Sequence, residues 1–316
     1  MRALVTGGSG FIGSHLVERL LREGHSVEVV DDFSSGSLAN LAEARALHKD
    51  LRIHQADVRD LTVTELIERR QPEVVFHLAA QPNVVTSIAD PGFDAEVNVV
   101  GSVRVIEGAL RAGAKKVVYA ASGGTLYGEA RRAAEETQLY RPLSPYGVAK
   151  KVVIDYLFAY RERCDLEFTA LALANVYGPR QRPDGEAGVV AKFASEVVAG
   201  TPSVIDGDGS QVRDFVYVDD AIDAFVRASS KGGGLVCNVG TGKGTTIKRL
   251  YSLMSDVAGS KVPPFFGPPR PGDLRASVLS PERSRLHLGW SPFTSLREGI
   301  TATLADAAKI SEGAKA

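Results

Sequence analysis

The chain has 316 residues, with 37 Lys and Arg against 38 Asp and Glu, and a balance of −1 excludes the basic surface that nucleic acids select. Hydrophobic residues make up 44% and charged ones 24%, which excludes a disordered chain and fits one large domain with a subordinate lobe. Two cysteines, Cys164 and Cys237, exclude a disulfide-stapled or zinc module, no apolar run reaches the roughly 20 residues that span a bilayer, and MRALVTG reads as a strand rather than a signal peptide, so a reducing cytoplasm is expected.

In chain order, Ala3–Thr6, Val27–Asp31, Leu51–Gln55, Val74–His77 and Val117–Ala120 are predicted strands. Each is rich in Val, Leu or Ile and nearly free of alternation, as parallel strands buried on both faces are. Helical patterns at Phe11–Arg22, Leu61–Arg70 and Asp94–Arg111 separate them, and a further helix, Pro145–Arg163, precedes the strand Phe168–Leu173. The alternation predicts an α/β fold with a doubly wound parallel sheet and right-handed crossovers. After about Asn175 the texture changes. Gly and Pro cluster in GPRQRPDGEAG and FFGPPRPGD around the strand-like Val212–Val218, which predicts a smaller C-terminal lobe on the same sheet. The closing KISEGAKA reads as a solvated end.

TGGSGFIGSH places Gly7, Gly10 and Gly13 between an apolar strand and an amphipathic helix. Glycines there let the backbone approach a pyrophosphate seated on the helix N-terminus. The partner signal is an acid about 20 residues on, at the end of the second strand, where VEVVDD supplies Asp31. A carboxylate there accepts from a ribose 2′-hydroxyl and repels a 2′-phosphate, so NAD is expected over NADP. Asp57 in QADVRD follows the third strand; it would meet the adenine or cap the next helix, and both roles can coexist.

SPYGVAKKVV sets Tyr146 and Lys150 four residues apart, one turn apart on one helix face. A phenol is a poor base near neutrality, and a nearby cation favours the phenolate. Tyr-x-x-x-Lys alone is a weak pattern; the glycine motif upstream makes it a strong one.

These motifs, with HLAAQ at His77–Gln81, the helix around Asn98, SGGTLYG at Ser122–Gly128, ANVYGPRQ, VRDFVYVDD and RPGDLR, resemble the extended short-chain dehydrogenase/reductases. Within them the pattern is similar to the NAD-dependent nucleotide-sugar epimerase/dehydratase family, and among its members to UDP-glucose 4-epimerases. The resemblance runs from Gly7 to about Trp290. It implies a Rossmann domain over residues 1–174 with the Tyr146/Lys150 pair, and a lobe over 175–316 that mainly binds a nucleotide sugar. It implies a hidden redox cycle: Tyr146 takes the proton of the sugar 4-hydroxyl while hydride passes to NAD, the 4-keto sugar turns over, and hydride returns to the other face. Lys150 would hold the nicotinamide ribose and lower the Tyr146 pKa. The implied cofactor site adds Phe11, Ile12, Asp32, Ser35, Gly36, Val58, Leu78, Ala79, Ala80 and Asn98 to Gly7, Gly10, Gly13, Asp31, Asp57, Tyr146 and Lys150.

The family's proton-relaying hydroxyl falls on Gly123, so Ser122, ahead of Thr125, is the expected substitute. Dehydratases and decarboxylases of the family place an acid in this loop. Here Gly124 and Thr125 stand there, which favours simple epimerisation, and Glu129 is expected to be solvated. On the substrate side the resemblance implies Arg213 and Arg270 on the pyrophosphate and Asp273 on the ribose. It further implies Gln81, Ser122, Tyr146 and Asn175 at the sugar diphosphate or hexose, and Val189 beside the uracil. Ser277, small, would leave the hexose 2-position open to an N-acetyl group.

His77 reads as a satisfied core histidine and Cys237 as packing. A second apolar face on the Asn98 and Tyr146 helices, carried by Val97, Val100, Val103, Val105, Ile106, Val152, Val153, Tyr156, Leu157 and Tyr160, predicts a homodimer through a four-helix bundle. The alternatives are a UDP-glucuronate 4-epimerase or related enzyme, for which Arg182 would meet a sugar carboxylate and against which Asn175 stands, and an NAD-sensing regulator, which the intact Tyr/Lys pair disfavours.

Overall fold

The computed structural model describes residues 1–48, 51–129, 132–183, 188–270 and 273–313. The chain opens with β1 (Arg2–Thr6), α1 (Phe11–Arg22), β2 (Ser26–Asp31), α2 (Ala42–Leu47), β3 (Arg52–Gln55), α3 (Leu61–Arg70) and β4 (Val74–His77). There follow α4 (Val84–Ala89), α5 (Pro91–Ala95), α6 (Gly101–Arg111), β5 (Lys116–Ser122), α7 (Gly123–Leu126), α8 (Pro145–Cys164) and β6 (Glu167–Leu173). The remainder holds β7 (Asn175–Tyr177), α9 (Val189–Ala199), β8 (Val204–Asp206), β9 (Val212–Tyr217), α10 (Val218–Ala228) and β10 (Leu235–Val239). It ends with β11 (Gly244–Thr246), α11 (Ile247–Ala258), β12 (Phe265–Gly267), β13 (Ala276–Ser277), α12 (Glu282–Leu288) and α13 (Leu296–Gly313).

Seven parallel strands form the main sheet in the order β10-β6-β5-β4-β1-β2-β3. The order reverses between β1 and β4, and this is where doubly wound sheets hold ligands, beyond the carboxyl ends of the strands. One apolar layer, with Leu16, Leu20, Phe225 and Trp290, covers one face; the other, with Val63, Ile67, Ile106, Val153 and Leu157, covers the opposite face. Burial on both sides is why β4 is apolar throughout save its terminal His77. In the smaller lobe β9 pairs with β7, β11 and β13, and β8 with β12. Phe193, Leu250, Met254 and Ile300 form a third core there.

Three elements differ from expectation. The helix read as Asp94–Arg111 starts at Pro91, where the Asp90 carboxylate accepts from Phe93 N, and passes through a π turn at Glu96–Val100 before α6. β5 is longer than Val117–Ala120 because its ladder with β6 runs from Lys116 opposite Glu167 to Ser122 opposite Leu173. β10, unforeseen, returns the chain from the second half to the main sheet beside β6, so residues after 175 build both the lobe and the edge of the larger domain.

Candidate active site

The glycine turn is shaped by close backbone approach. Gly7 has φ +68°, and a Cβ there would stand 2.7 Å from Ala79 N on the loop after β4. A Cβ on Gly13 would overlap the Gly7 carbonyl oxygen, so α1 sits too near the turn for any other residue. Gly10 is the N-cap of α1 and makes no side-chain cap; with no acid in the first turn, Phe11, Ile12 and Gly13 form an N-terminus open to an anion.

Asp31 is buried at the end of β2, its carboxylate accepting from Ser9 N at 2.8 Å and Phe33 N at 2.9 Å. It thereby ties the second strand to the glycine turn. Asp32 accepts from Ser34 N and Oγ, at 2.9 and 2.7 Å, exposed Ser35 lies on the same turn, and Gly36 packs so tightly on Ser9 that a Cβ would overlap its hydroxyl. Asp57 accepts from Arg59 N, Nε and Nη2 at 2.8, 2.9 and 2.6 Å, and the Arg59 guanidinium holds its carboxyl below the usual range. The N-cap of α3 is Asp60, so the capping alternative for Asp57 falls away. Val58 packs under Gly101, whose Cβ would approach Val58 Cγ2 to 2.7 Å.

The loop after β4 forms the opposite wall. Leu78 N donates to Thr6 O at 3.1 Å and Ala79 N to Thr6 Oγ1 at 3.3 Å, and Ala80 is half-buried beside them. Asn98, on the π turn, grips Gln81 by both backbone groups, accepting from its N and donating to its O at 2.9 Å each. The Gln81 side chain does not face outward as a sugar ligand. Its amide donates to Asn83 O and to Asp94, each at 2.9 Å. His77 is the satisfied core histidine, its ring nitrogens 2.7 Å from Thr6 Oγ1 and 2.8 Å from Ser102 Oγ, and burial pushes its pKa down to about 3.

Ser144 caps α8 by accepting from Gly147 N at 3.1 Å, and Pro145 occupies the first turn, which sets Tyr146 and Lys150 on the face toward β5. Ser122, at the end of β5, draws the pKa of the Tyr146 phenol down, whereas Thr125 Oγ1 donates to Ser122 O at 3.3 Å and is turned to the backbone. Gly123 is there of necessity: a Cβ would overlap Leu279 Cδ1 and stand 3.0 Å from Ala172 O. A hydroxyl residue at 123 would need the Leu279 side chain to shift, and Ser122 is the neighbouring hydroxyl.

Lys150 Nζ donates to Ala120 O at 3.1 Å and lies 5.0 Å from the centre of the Tyr119 ring and 5.7 Å from that of Tyr146. Burial pushes Lys150 down to about 8 and Tyr146 up to about 12; Ser122 pulls the phenol back down and Asp94 adds to the rise. Burial dominates the phenol, and Lys150 is not among the groups that set its pKa in the protein alone.

In the smaller lobe, Arg213 on β9 donates to Val212 O and Leu274 O at 2.9 and 2.8 Å and pairs with Asp273. Ser277 lies opposite Arg213 in the β13–β9 ladder, and its Oγ is 3.9 Å from where a Gly124 Cβ would sit. The structure thus brings Arg213, Asp273 and Ser277 to the catalytic loop. Arg270 stands apart, exposed, 3.0 Å from Asp206. Asn175 begins β7 opposite Phe215, Val189 begins α9, Arg182 is exposed, and Pro271 and Gly272 lie outside the described residues. Glu129 is exposed but not idle: its two oxygens accept from Arg275 N and Ala276 N at 2.9 and 3.2 Å, joining the catalytic loop to β13. Sequence reasoning missed Asp94, a fully buried carboxylate accepting from Gln81 and Asn98; its four-residue spacing from Asn98 was the available signal.

A glycine cradle, a buried acid after β2 and a Tyr–Ser–Lys cluster face one crevice at the switch point, and residues 3–240 match the model of the NAD dependent epimerase/dehydratase family. The chain belongs to that family. Among its relatives, UDP-glucose 4-epimerase of Mycolicibacterium smegmatis is 49% identical over 306 residues, covering 96% of this chain and 97% of that one. UDP-glucose 4-epimerase of Thermotoga maritima, solved with UDP-glucose, superposes with a TM-score of 0.94 at 41% identity over 98% of this chain and 99% of that one. The Thermus thermophilus UDP-glucose 4-epimerase, solved with NAD, gives 0.91 at 40% identity over 97% and 99%. The fit of a dinucleotide to this family member rests on its own backbone: Gly7 and Gly13 let the turn pack closely on Ala79 and α1, and the first turn of α1, with no side-chain cap and no acid, is left to an anion.

Proposed function

We propose that the chain is an NAD-dependent epimerase that inverts C4 of a UDP-hexose, UDP-glucose and UDP-galactose, through a transient 4-keto sugar. The observation that carries this reading is Tyr146 and Lys150 one turn apart on α8, with Lys150 Nζ 5.7 Å from the centre of the Tyr146 ring and bonded to Ala120 O of β5, beside a loop whose residues 123–125 hold no carboxylate for elimination or decarboxylation. The likeness to relatives that carry this activity supports it over 96% of the chain.

Gly7, Gly10, Phe11, Ile12 and Gly13 would hold the pyrophosphate of NAD, Asp31 the adenosine ribose, and Lys150 the nicotinamide ribose. When bound, NAD supplies the hydride acceptor and, later, the donor. Ser122 bridges the sugar 4-hydroxyl to the Tyr146 phenol, and that phenol oxygen is where the proton is held and from which it is returned. Arg213, with its planar fork, exchanges Asp273 for the pyrophosphate of the substrate; Asp273 is then released toward the ribose. Ser277 leaves the hexose 2-position open, so the N-acetylated pair is turned over as well.

Residues 1–174 serve mainly the cofactor and residues after 175 mainly the nucleotide sugar. Val85, Ile88, Val100, Val148 and Tyr156 remain exposed on α4, the π turn and α8 while Val105, Ile106, Val153 and Leu157 fill the core, which supports a homodimer through these helices. Among the described residues no helix is long and apolar enough to cross a membrane, and the cytoplasm is the proposed location. The test is incubation of the purified protein with UDP-glucose, UDP-N-acetylglucosamine and UDP-glucuronate followed by separation of the products. Epimers of the first two are expected; conversion of UDP-glucuronate alone overturns the substrate assignment.

A further inference from the structure

We propose that Asp94 is a positioning residue of the active site, a buried carboxylate that locks the Leu78–Gln81 wall and serves as the counter-charge of Lys150. The proposal deepens the epimerase reading and rests on it for the role of Lys150.

Asp94 closes α5 immediately before the π turn and is 1% exposed. One of its oxygens accepts from Gln81 Nε2 at 2.9 Å and from Asn98 Nδ2 at 2.8 Å. Asn98 in turn holds both backbone groups of Gln81. Two side chains from two elements thus converge on a single loop, the same loop whose Ala79 N would meet a Gly7 Cβ. The wall of the cofactor crevice is fastened from behind by one carboxylate. The π turn puts Asn98 in reach of that carboxylate, and such bulges gather at functional sites.

An ionised carboxylate this deep needs an opposite charge. Among the described residues the one cation whose charge acts on Asp94 is Lys150, and the one charge that acts back on Lys150 is Asp94. The groups around Lys150 come from three elements besides its own: His77 from β4, Tyr119 from β5 and Asp94 from α5, with Tyr146 on α8 itself. His77 is neutral at physiological pH, and burial pushes the Tyr119 and Tyr146 phenols up. Asp94 is the carboxyl of this set; burial pushes its pKa up, and Gln81, Asn98 and Lys150 draw it back down. Asp94 and Lys150 are both buried, 1% and 3% exposed, on α5 and α8, which pack together; charges so placed stabilise each other's ionised form, and deleting one leaves the other uncompensated.

Asp94→Asn separates the two duties, because it keeps an acceptor oxygen for Gln81 and Asn98 while deleting the charge. Asp94→Ala deletes both. Three properties of the purified holoprotein are to be measured: NAD content, the pH profile of kcat, and the titration of 13Cε-labelled Lys150, assigned from Lys150→Arg. Asp94→Asn is expected to retain NAD, to titrate Lys150 about one pH unit lower than the parent, and to lose kcat more steeply at pH 9 than at pH 7. Asp94→Ala is expected to lose most of its NAD, and Asp94→Glu to restore the Lys150 midpoint. An unchanged Lys150 midpoint in Asp94→Asn, or equal loss at every pH with falling melting temperature, overturns the proposal. A parent without epimerase activity would refute the functional reading alone, since NAD content and the lysine titration do not depend on turnover.

Discussion

The two walls of the crevice are built on opposite principles. The cofactor wall is backbone against backbone: Gly7 against Ala79, Gly13 against Gly7, Gly36 against Ser9, with Asp31 binding the glycine turn to β2. The wall proposed for the nucleotide sugar is side chain against side chain, its Arg213 already engaged by Asp273, while Arg270 stands apart on Asp206. A wall of the first kind is formed before the ligand arrives, and its ligand stays. A wall of the second kind must exchange a carboxylate for a phosphate at each binding event, which suits a substrate that comes and goes. A reaction with no net change in its cofactor needs both.

Substitutions that break this contrast rank by expected effect. Tyr146→Phe should lower kcat by orders of magnitude with NAD content unchanged, because the proton-holding oxygen is lost and the cradle is not; wild-type turnover would refute the assignment. Ser122→Ala should follow it, well ahead of Thr125→Ala, whose hydroxyl serves the backbone. Gly13→Ala should strip NAD from the purified protein, since its Cβ meets main chain that cannot swing aside; stoichiometric NAD in the extract would show that the cradle tolerates a side chain. Arg213→Ala should raise KM about tenfold or more, from the loss of a charged hydrogen-bond donor. Arg270→Ala, at an exposed and screened pair, should raise it less, and the reverse order would show that the two arginines have been ranked wrongly. Ser277→Tyr should abolish turnover of the N-acetylated pair by crowding worth about 1–3 kcal/mol and spare the parent hexoses; equal loss on both substrate pairs would discard Ser277 as the discriminating wall.

The smallest effect near neutrality is on stability. His77 is held neutral in the fold, with a pKa of about 3 against 6.5 when unfolded. The unfolded chain therefore binds a proton that the native chain does not, and stability is full above about pH 6.5 and falls as pH drops toward 3. Denaturant unfolding at pH 7 and pH 5 should differ in that direction, and His77→Gln should flatten the slope. A slope that persists unchanged would assign the acid sensitivity to other groups.

The cofactor side was legible in the sequence for the same reason that it is rigid. Strands buried on both faces write themselves as unbroken apolar runs, and a turn that admits no Cβ writes itself as Gly7, Gly10 and Gly13. What escaped is long-range or a matter of local winding. β10 is five residues between turns, made a main-sheet strand only by its ladder with β6 some 66 residues earlier, from Leu235 opposite Thr169. The π turn at Glu96–Val100 carries no composition signal, and without it Asp94 looks like an ordinary first-turn acid. The pairing of Arg213 with Asp273 spans 60 residues, and only the fold shows that a cation expected to await phosphate already has a partner. Gly123 looked like a missing hydroxyl; the contact with Leu279 shows that it is closely packed there.

The central claim, a hydride removed from C4 of the sugar and returned to the same carbon within one crevice, is tested most directly with UDP-glucose carrying deuterium at C4. Incubated with the purified holoprotein in ordinary water, it should yield UDP-galactose with the deuterium still on C4. Deuterium lost to solvent, or UDP-glucose recovered without epimer after prolonged incubation, would contradict the account.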